Sequence, residues 1–111
     1  SSAPLYRGDP DRVDPEEALV AALSSCHMLT FLFEASRKKL VVDSYEDAAV
    51  GVMTKNEQGR LFVSRVNLRP KVTFGGSVQP SAEEVLELHH RAHDGCFIAQ
   101  SVKSEVVVEP Q

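Results

Sequence analysis

One uninterrupted stretch, Asp14–Lys39, has the sequence signature of a long helix and constrains the rest of the chain. Asp14 followed by Pro15 is typical of an N-cap and a first helical residue, and the basic residues 37–39 complement the dipole at the other end. A helix of about 25 residues spans about 37 Å. Since it is apolar nearly all round, we expect other elements to enclose it.

Two strands of a hairpin are predicted after this helix. Leu40–Thr54 is rich in valine, and Leu61–Phe74 alternates between apolar and polar residues. The polar segment Lys55–Arg60 contains a glycine and predicts the hairpin loop. Pro70 cannot donate to a strand ladder, so the second strand is expected to be bulged or to lie at an edge.

The last third of the chain predicts helices and a closing strand. After the turn Gly75–Pro80, Ser81 and Glu84 match a capping box that opens a helix from Ala82 to His93. Asp94 is placed to cap a short helix, Gly95–Val102, and Val106–Val108 is expected to close the sheet. The prediction is therefore a single α+β domain, 1–111, with a long buried helix and a thin antiparallel sheet. Three strands cover little of such a helix. We therefore expect that strands upstream of Ser1 cover part of it and that a second subunit covers another part.

Composition limits the classes of partner. The net charge is −4 without a basic run, which argues against a nucleic-acid surface. The longest apolar run falls short of the roughly 20 residues that a membrane span needs, and no signal peptide is visible. We therefore expect a cytoplasmic protein that binds neither nucleic acid nor membrane. In that setting, two cysteines indicate catalysis or metal binding rather than a structural disulfide.

The two cysteines are the main candidates for chemistry. Cys26 lies on the apolar face of the long helix, where a small inert core residue and a reactive thiol are both plausible. Cys96 is expected in the first turn of the short helix, where the dipole lowers a thiol pKa. Such a pair suits oxidation of Cys26 to a sulfenic acid that Cys96 resolves to a disulfide.

Two charged residues could act on the thiol. Glu16 lies ten residues before Cys26, roughly 15 Å along one helix, so it could reach the thiol only of a partner whose helix packs antiparallel. The alternative is that Glu16 and Glu17 merely complement the helix N-terminus. Arg7 could pair with the thiolate or with Glu16, or it could be a solvated loop residue.

A zinc site is a further alternative. His89, His93 and Cys96 lie at i, i+4 and i+7, and Cys26 would complete a Cys₂His₂ set. The pair Asp94-Gly95 interrupts this spacing, which favours a packing and hydrogen-bonding role for the histidines, with His93 or His27 near the thiol. We therefore expect no metal and no cofactor.

Two motifs together resemble those of one known family. Residues 15–19 (PEEAL) and 21–27 (AALSSCH) resemble the N-P-E-E-L…A-A…S-x-C signature of the OsmC/Ohr proteins, which comprise osmotically inducible protein C and the organic hydroperoxide resistance proteins. Residues 92–96 (AHDGC) resemble the second cysteine motif of that family, A-H-x-x-C. The resemblance extends from Gly8 to Pro110, and the Ser-Cys-His form is closer to the OsmC-like branch.

The resemblance implies an α+β fold, an intertwined homodimer with its active sites at the interface, and thiol-dependent reduction of peroxides. By position, Cys26 falls on the peroxidatic cysteine, Cys96 on the resolving cysteine, and Glu16 on the orienting carboxylate. Asp14 stands where the family usually has asparagine. The N-terminal strands of the family and their arginine have no counterpart, and Arg7 is a weak substitute.

The predicted function is therefore a hydroperoxide reductase that an external dithiol regenerates. Apolar walls around Cys26 would favour organic hydroperoxides, and the candidates for those walls are Leu23, Met28, Phe31 and Phe33. The same walls would raise the thiol pKa, so a cation or a helix dipole must oppose them. The alternatives are a non-catalytic dimeric binding or stress protein with inert cysteines, and the zinc site.

Overall fold

The computed structural model describes residues 13–111, and Arg7 lies outside them. Two helices and five strands follow one another along the chain: α1 (Pro15–Arg37), β1 (Val41–Asp47), β2 (Val50–Lys55), β3 (Leu61–Leu68), β4 (Pro70–Gly75), α2 (Ala82–Asp94) and β5 (Glu105–Val108). The α+β class predicted from the sequence is confirmed.

The predicted hairpin forms, but each of its arms is two strands instead of one. The first arm is interrupted at residues 48–49 and the second at Arg69. As a result, β1 pairs with β4 in one antiparallel sheet and β2 pairs with β3 in another. β5 joins β3 in parallel, which gives a three-stranded sheet in the order β2-β3-β5. The prediction of a single thin sheet is therefore wrong. The interruption of the second arm immediately precedes Pro70, which lacks an N–H. The Asp47 carboxylate stabilises it by accepting the Arg69 N–H at 2.6 Å.

Both predicted caps are present. Asp14 accepts the N–H of Glu17 at 2.7 Å, with Pro15 at the first helical position of α1. Ser81 and Glu84 form the reciprocal bonds of a capping box at the start of α2. α1 ends at Arg37, two residues earlier than predicted, because the chain turns through Lys39 at φ 58°.

Within the part of the chain that the structure describes, α1 buries one stripe. Its buried residues recur four apart, at Leu23, His27, Phe31 and Ala35. Only 22% of its most apolar window is buried, so residues 13–111 of one chain do not complete the expected enclosure. By length and composition alone α1 could cross a membrane, a property that it shares with core helices of soluble proteins and with signal sequences.

Two apolar clusters hold the elements around α1. One, around Phe31 and Leu88, joins α1 to α2 and to the sheet of β1 and β4. The other, around Leu23 and Val66, joins α1 to the three-stranded sheet and to the segment after α2. Cys26 lies between the residues that α1 contributes to the two clusters.

The segment after α2 differs from the prediction. Only residues 99–101 form a short 3-10 turn, so the helix predicted over Gly95–Val102 is wrong. Cys96 therefore does not lie in the first turn of a helix. It lies in an irregular turn, where Gly95 ends α2 and allows the chain to reverse against α1.

Candidate active site

The two cysteines of this chain come together although they are far apart in sequence. Cys26 is half-buried on α1, and Cys96 is 1% exposed in the turn after α2. Both are free thiols, and they lie near enough for each to alter the pKa of the other. The arrangement is that of two reduced thiols side by side.

The packing of α2 on α1 sets this arrangement. At the end of α2, a Cβ built on Gly95 would lie 3.2 Å from the Thr30 methyl group, so the two elements are close here. The Thr30 hydroxyl donates to the carbonyl oxygen of Cys26 at 2.9 Å, within the same helix. The Cys96 sulfur accepts the N–H of Ala99 at 3.4 Å. Each cysteine is therefore held by the element that carries it.

The surroundings move the two thiol pKa values apart. Burial raises the pKa of Cys26, but hydrogen bonds from the Cys96 thiol and from the backbone N–H groups of Ile98 and Phe97 outweigh it, and the net pKa is lowered. Burial, together with the hydrogen bond to Cys26, raises the pKa of Cys96. Cys26 therefore ionises first, and Cys96 remains protonated beside it.

A buried histidine pair joins α1 to α2, and its member on α1, His27, follows Cys26 in the sequence. His27 Nε2 is 3.0 Å from His89 Nδ1, and the two rings are stacked at a 5° angle. Burial lowers the pKa of each to about 4, and the charges of His89 and His93 contribute at His27. Both rings are neutral at pH 7 and share one N–H in a hydrogen bond. This matches the packing and hydrogen-bonding role expected for the histidines.

The zinc alternative has no support in the part of the chain that the structure describes. Across residues 13–111, no group of three or more His, Cys, Asp or Glu side chains is placed to hold a metal ion. His89, which that alternative required as a ligand, instead bonds to His27 and packs at 4.4 Å from the ring of Phe31.

Glu16 lies on a groove, away from the thiols. The groove has a volume of ≈ 1220 Å³ between α1 and the strands β1 to β3. Its lining includes Glu16, Val20 and Met28, and Cys26 is not among the described residues that line it. The helix geometry puts Glu16 about 15 Å from Cys26 along α1. The structure therefore does not bring the two together within one subunit.

The four residues that were predicted to form apolar walls around Cys26 lie in different environments. Leu23 and Phe31 are fully buried core residues, one in each apolar cluster. Met28 lines the groove, and Phe33 is 59% exposed with the Arg37 guanidinium 5.8 Å from its ring centre. Their contact with a substrate stays a prediction, which the complete burial of Leu23 and Phe31 does not favour.

Two features of the site were missed at the level of sequence. The backbone N–H groups of Phe97 and Ile98 help to lower the pKa of Cys26, but such groups leave no signature in residue type. At the bend of the hairpin, Ser24 donates to Asp47 at 2.5 Å. The only available signal for Asp47 was an acidic residue before a pair of alanines in a predicted strand.

Comparison with known proteins identifies relatives of the chain. The model of the family described as OsmC-like protein matches residues 8–111. An OsmC-like protein of unknown function from Vibrio cholerae is 48% identical, with a TM-score of 0.93 over 100% of this chain and 75% of that one. No curated protein matches.

More distant structures share the fold. The organic hydroperoxide resistance protein OhrB of Bacillus subtilis is 19% identical, with a TM-score of 0.78 over 98% of this chain and 76% of that one. The OsmC-like protein of Mycoplasma pneumoniae is 17% identical, with a TM-score of 0.77 over 98% of this chain and 77% of that one. At such identities the likeness concerns the fold alone.

Proposed function

This chain belongs to the OsmC-like protein family, and we propose that it is a thiol-dependent hydroperoxide reductase that acts through Cys26 and Cys96. The observation that supports the proposal is the convergence of two free thiols whose pKa values are shifted in opposite directions. A thiol with a lowered pKa is the better nucleophile at neutral pH, and a protonated thiol beside it can resolve the product. One structural relative of the same fold is named for organic hydroperoxide resistance.

In the proposed reaction, the Cys26 thiolate attacks the distal oxygen of a hydroperoxide. The O–O bond breaks, and its electron pair leaves with the alkoxide, which takes a proton from solvent and departs as the alcohol. Cys26 is then a sulfenic acid. The Cys96 sulfur attacks the Cys26 sulfur, an S–S bond forms, and the hydroxyl group leaves as water with the proton of Cys96. An external dithiol returns two electrons and two protons and becomes a disulfide itself.

The test is consumption of cumene hydroperoxide in the presence of dithiothreitol. The wild-type chain should consume the peroxide, Cys26→Ser should abolish the reaction, and Cys96→Ser should no longer form the internal disulfide. Full activity in Cys26→Ser would refute the mechanism. Intact mass after one equivalent of peroxide should show the loss of two hydrogens in the wild type and the gain of one oxygen in Cys96→Ser.

The same assay addresses the alternative of a non-catalytic protein with inert cysteines. A half-exposed thiol with a lowered pKa favours the enzyme, because an inert core cysteine would be buried with a raised pKa. Two thiols that fail to react with a disulfide reagent in the native protein would favour the alternative. Comparison of cumene hydroperoxide with hydrogen peroxide tests the expected preference for organic substrates.

We also propose that the working form is a homodimer in the cytoplasm. Among the described residues, 22% of the most apolar window of α1 is buried, and apolar residues of α1, β2 and β3 line the large groove beside it. A second copy that packs there would bury this surface, and it could bring Glu16 to the thiol of the other subunit. Sedimentation velocity tests this: a dimer is expected, Ala21→Lys in the groove should weaken it, and Glu57→Lys in the hairpin loop should not. A monomeric wild type would contradict the proposal.

A further inference from the structure

A buried polar contact crosses the apolar interface between α1 and α2. His27 Nε2 on α1 lies 3.0 Å from His89 Nδ1 on α2, and both side chains are almost fully buried. Beside this pair, Phe31 of α1 and Leu88 of α2 belong to one apolar cluster. Contacts between apolar side chains have no preferred direction, whereas a hydrogen bond fixes both a distance and an angle. The histidine pair therefore adds a directional contact to an interface that is otherwise free to slide.

The pair determines where α2 lies along the axis of α1. The His89 ring spans two successive turns of α1, since its Nδ1 bonds to His27 and its ring centre lies 4.4 Å from that of Phe31. A slide of α2 by one turn would measure about 5.4 Å and would break both contacts. Buried polar groups are known to set the register of packed helices in this way.

The cysteines lie where that register matters. Cys26 directly precedes His27 on α1, and Cys96 comes shortly after the end of α2. The chain approaches α1 closely there, because a Cβ built on Gly95 would lie 3.2 Å from the Thr30 methyl group. Two cysteines can form a disulfide only when their Cα atoms lie within about 7 Å of each other. A slide of one turn would take the two cysteines out of that range.

Stability alone does not account for two buried histidines. The outer nitrogens, His27 Nδ1 and His89 Nε2, have no hydrogen-bond partner among residues 13–111. Buried polar groups that lack a partner destabilise the folded state, and well-packed apolar side chains of similar volume are often at least as stable. Placement of α2 is a role that such apolar side chains would not supply.

We infer that His27 and His89 are positioning residues that hold α2 in the register that brings Cys96 beside Cys26. The inference rests on the proposed function, since it concerns the disulfide that the two cysteines would form after oxidation. Neither ring needs to touch the peroxide or a sulfur. The pair acts before the chemistry, by keeping the resolving thiol within reach of the attacking one.

The measurement is the effective concentration of Cys96 at Cys26, obtained by equilibrating the chain with reduced and oxidised glutathione at pH 7. In this exchange the two protein thiols become one disulfide, and oxidised glutathione is reduced to two molecules of the thiol. Intact mass separates the products: the internal disulfide has lost two hydrogens, and a disulfide between two copies has twice the mass.

The first variant, His27→Leu with His89→Leu, removes the hydrogen bond but keeps a buried contact. We expect its effective concentration to fall about fivefold, the factor that corresponds to one net hydrogen bond. Its resistance to urea at pH 7 should stay equal or rise, which a merely structural role of the histidines would not allow. Asp47→Ala is the control, because it removes bonds at the hairpin bend, away from α2, and should keep the wild-type effective concentration. An unchanged effective concentration in the double leucine variant would overturn the inference.

A second pair of variants moves the hydrogen-bonding group without removing it. The amide nitrogen of glutamine lies as many bonds from the main chain as Nε2 of histidine, whereas that of asparagine lies one bond closer. His27→Gln should therefore keep the wild-type effective concentration, and His27→Asn should lower it as the leucine variant does. Equal values in these two variants would overturn the inference alone. A wild type that forms no internal disulfide would overturn it together with the proposed function.

Discussion

His27 Nε2 lies 3.0 Å from His89 Nδ1, and this contact joins the two helices that position the cysteines. His27 follows Cys26 on α1, and His89 lies on α2, which leads to Cys96. Both rings are almost fully buried, at 1% and 3% exposure. A pair of neutral histidines therefore connects α1, which carries Cys26, to α2, which precedes Cys96.

The histidine pair predicts a loss of stability in acid. The folded-state pKa of each ring is about 4, below the ordinary value of 6.5, so the unfolded chain binds more protons between these two pH values. The stabilisation is complete above pH 6.5 and is lost as the pH falls towards 4, on the order of 3 kcal/mol for one ring taken alone. Urea unfolding from pH 7 to pH 4 measures it.

The control for this prediction replaces both rings. His27→Leu with His89→Leu leaves no unpaired imidazole, so the free energy of unfolding should depend less on pH than in the wild type. If the free energy of unfolding of the double variant depended on pH as strongly as that of the wild type, the histidine pair would not be the cause of the acid sensitivity.

The two thiols should differ in reactivity. Cys26 is half-exposed with a lowered pKa, whereas Cys96 is buried with a raised pKa. At neutral pH, one equivalent of iodoacetamide should therefore modify Cys26 at least about tenfold faster than Cys96. Peptide mapping checks this, and denatured protein, in which the two rates should converge, is the control. Preferential labelling of Cys96 in the native protein would reverse the assigned roles.

Asp47 should stabilise the bend of the hairpin. Its carboxylate accepts the Ser24 hydroxyl at 2.5 Å and the Arg69 N–H at 2.6 Å, which ties α1 to the point where both arms change sheet. Asp47→Ala leaves both donors without this acceptor and should lower the free energy of unfolding by about 2 kcal/mol. Ser24→Ala removes only one bond and should cost about half as much. Urea unfolding of both variants measures these losses. Equal losses in the free energy of unfolding would show that the hydrogen bond to Arg69 contributes nothing.

Local signals in the sequence predicted the elements well. Asp14 before Pro15 marked the start of α1, and Ser81 with Glu84 marked the start of α2. These caps depend on neighbours within one helical turn, so the sequence contains all the information that they need. The cysteine pair was also expected, from two motifs of the family.

The errors concern long-range structure. The bend at Asp47 depends on Arg69 across the hairpin, so periodicity within either strand alone could not show it. The helix predicted around Cys96 reduces to a short turn because the segment packs through Ile98 and Val102 against the Leu23 cluster. Tertiary packing there overrides local helix propensity. Part of the lowering of the Cys26 pKa comes from main-chain N–H groups, which every residue except proline carries.

The last prediction concerns Glu16, which cannot reach the thiol of its own subunit because the two are about 15 Å apart along α1. In a twofold dimer with antiparallel α1 helices, Glu16 of one copy would instead face Cys26 of the other. Cys26→Ser and Glu16→Gln should each be nearly inactive alone. A mixed dimer of the two variants contains one site with both native residues, so mixing after reversible unfolding should restore about a quarter of the wild-type peroxide consumption, since about half of the dimers are mixed. If Glu16 acted within its own subunit, every site of the mixed dimer would carry a defect and no activity would return.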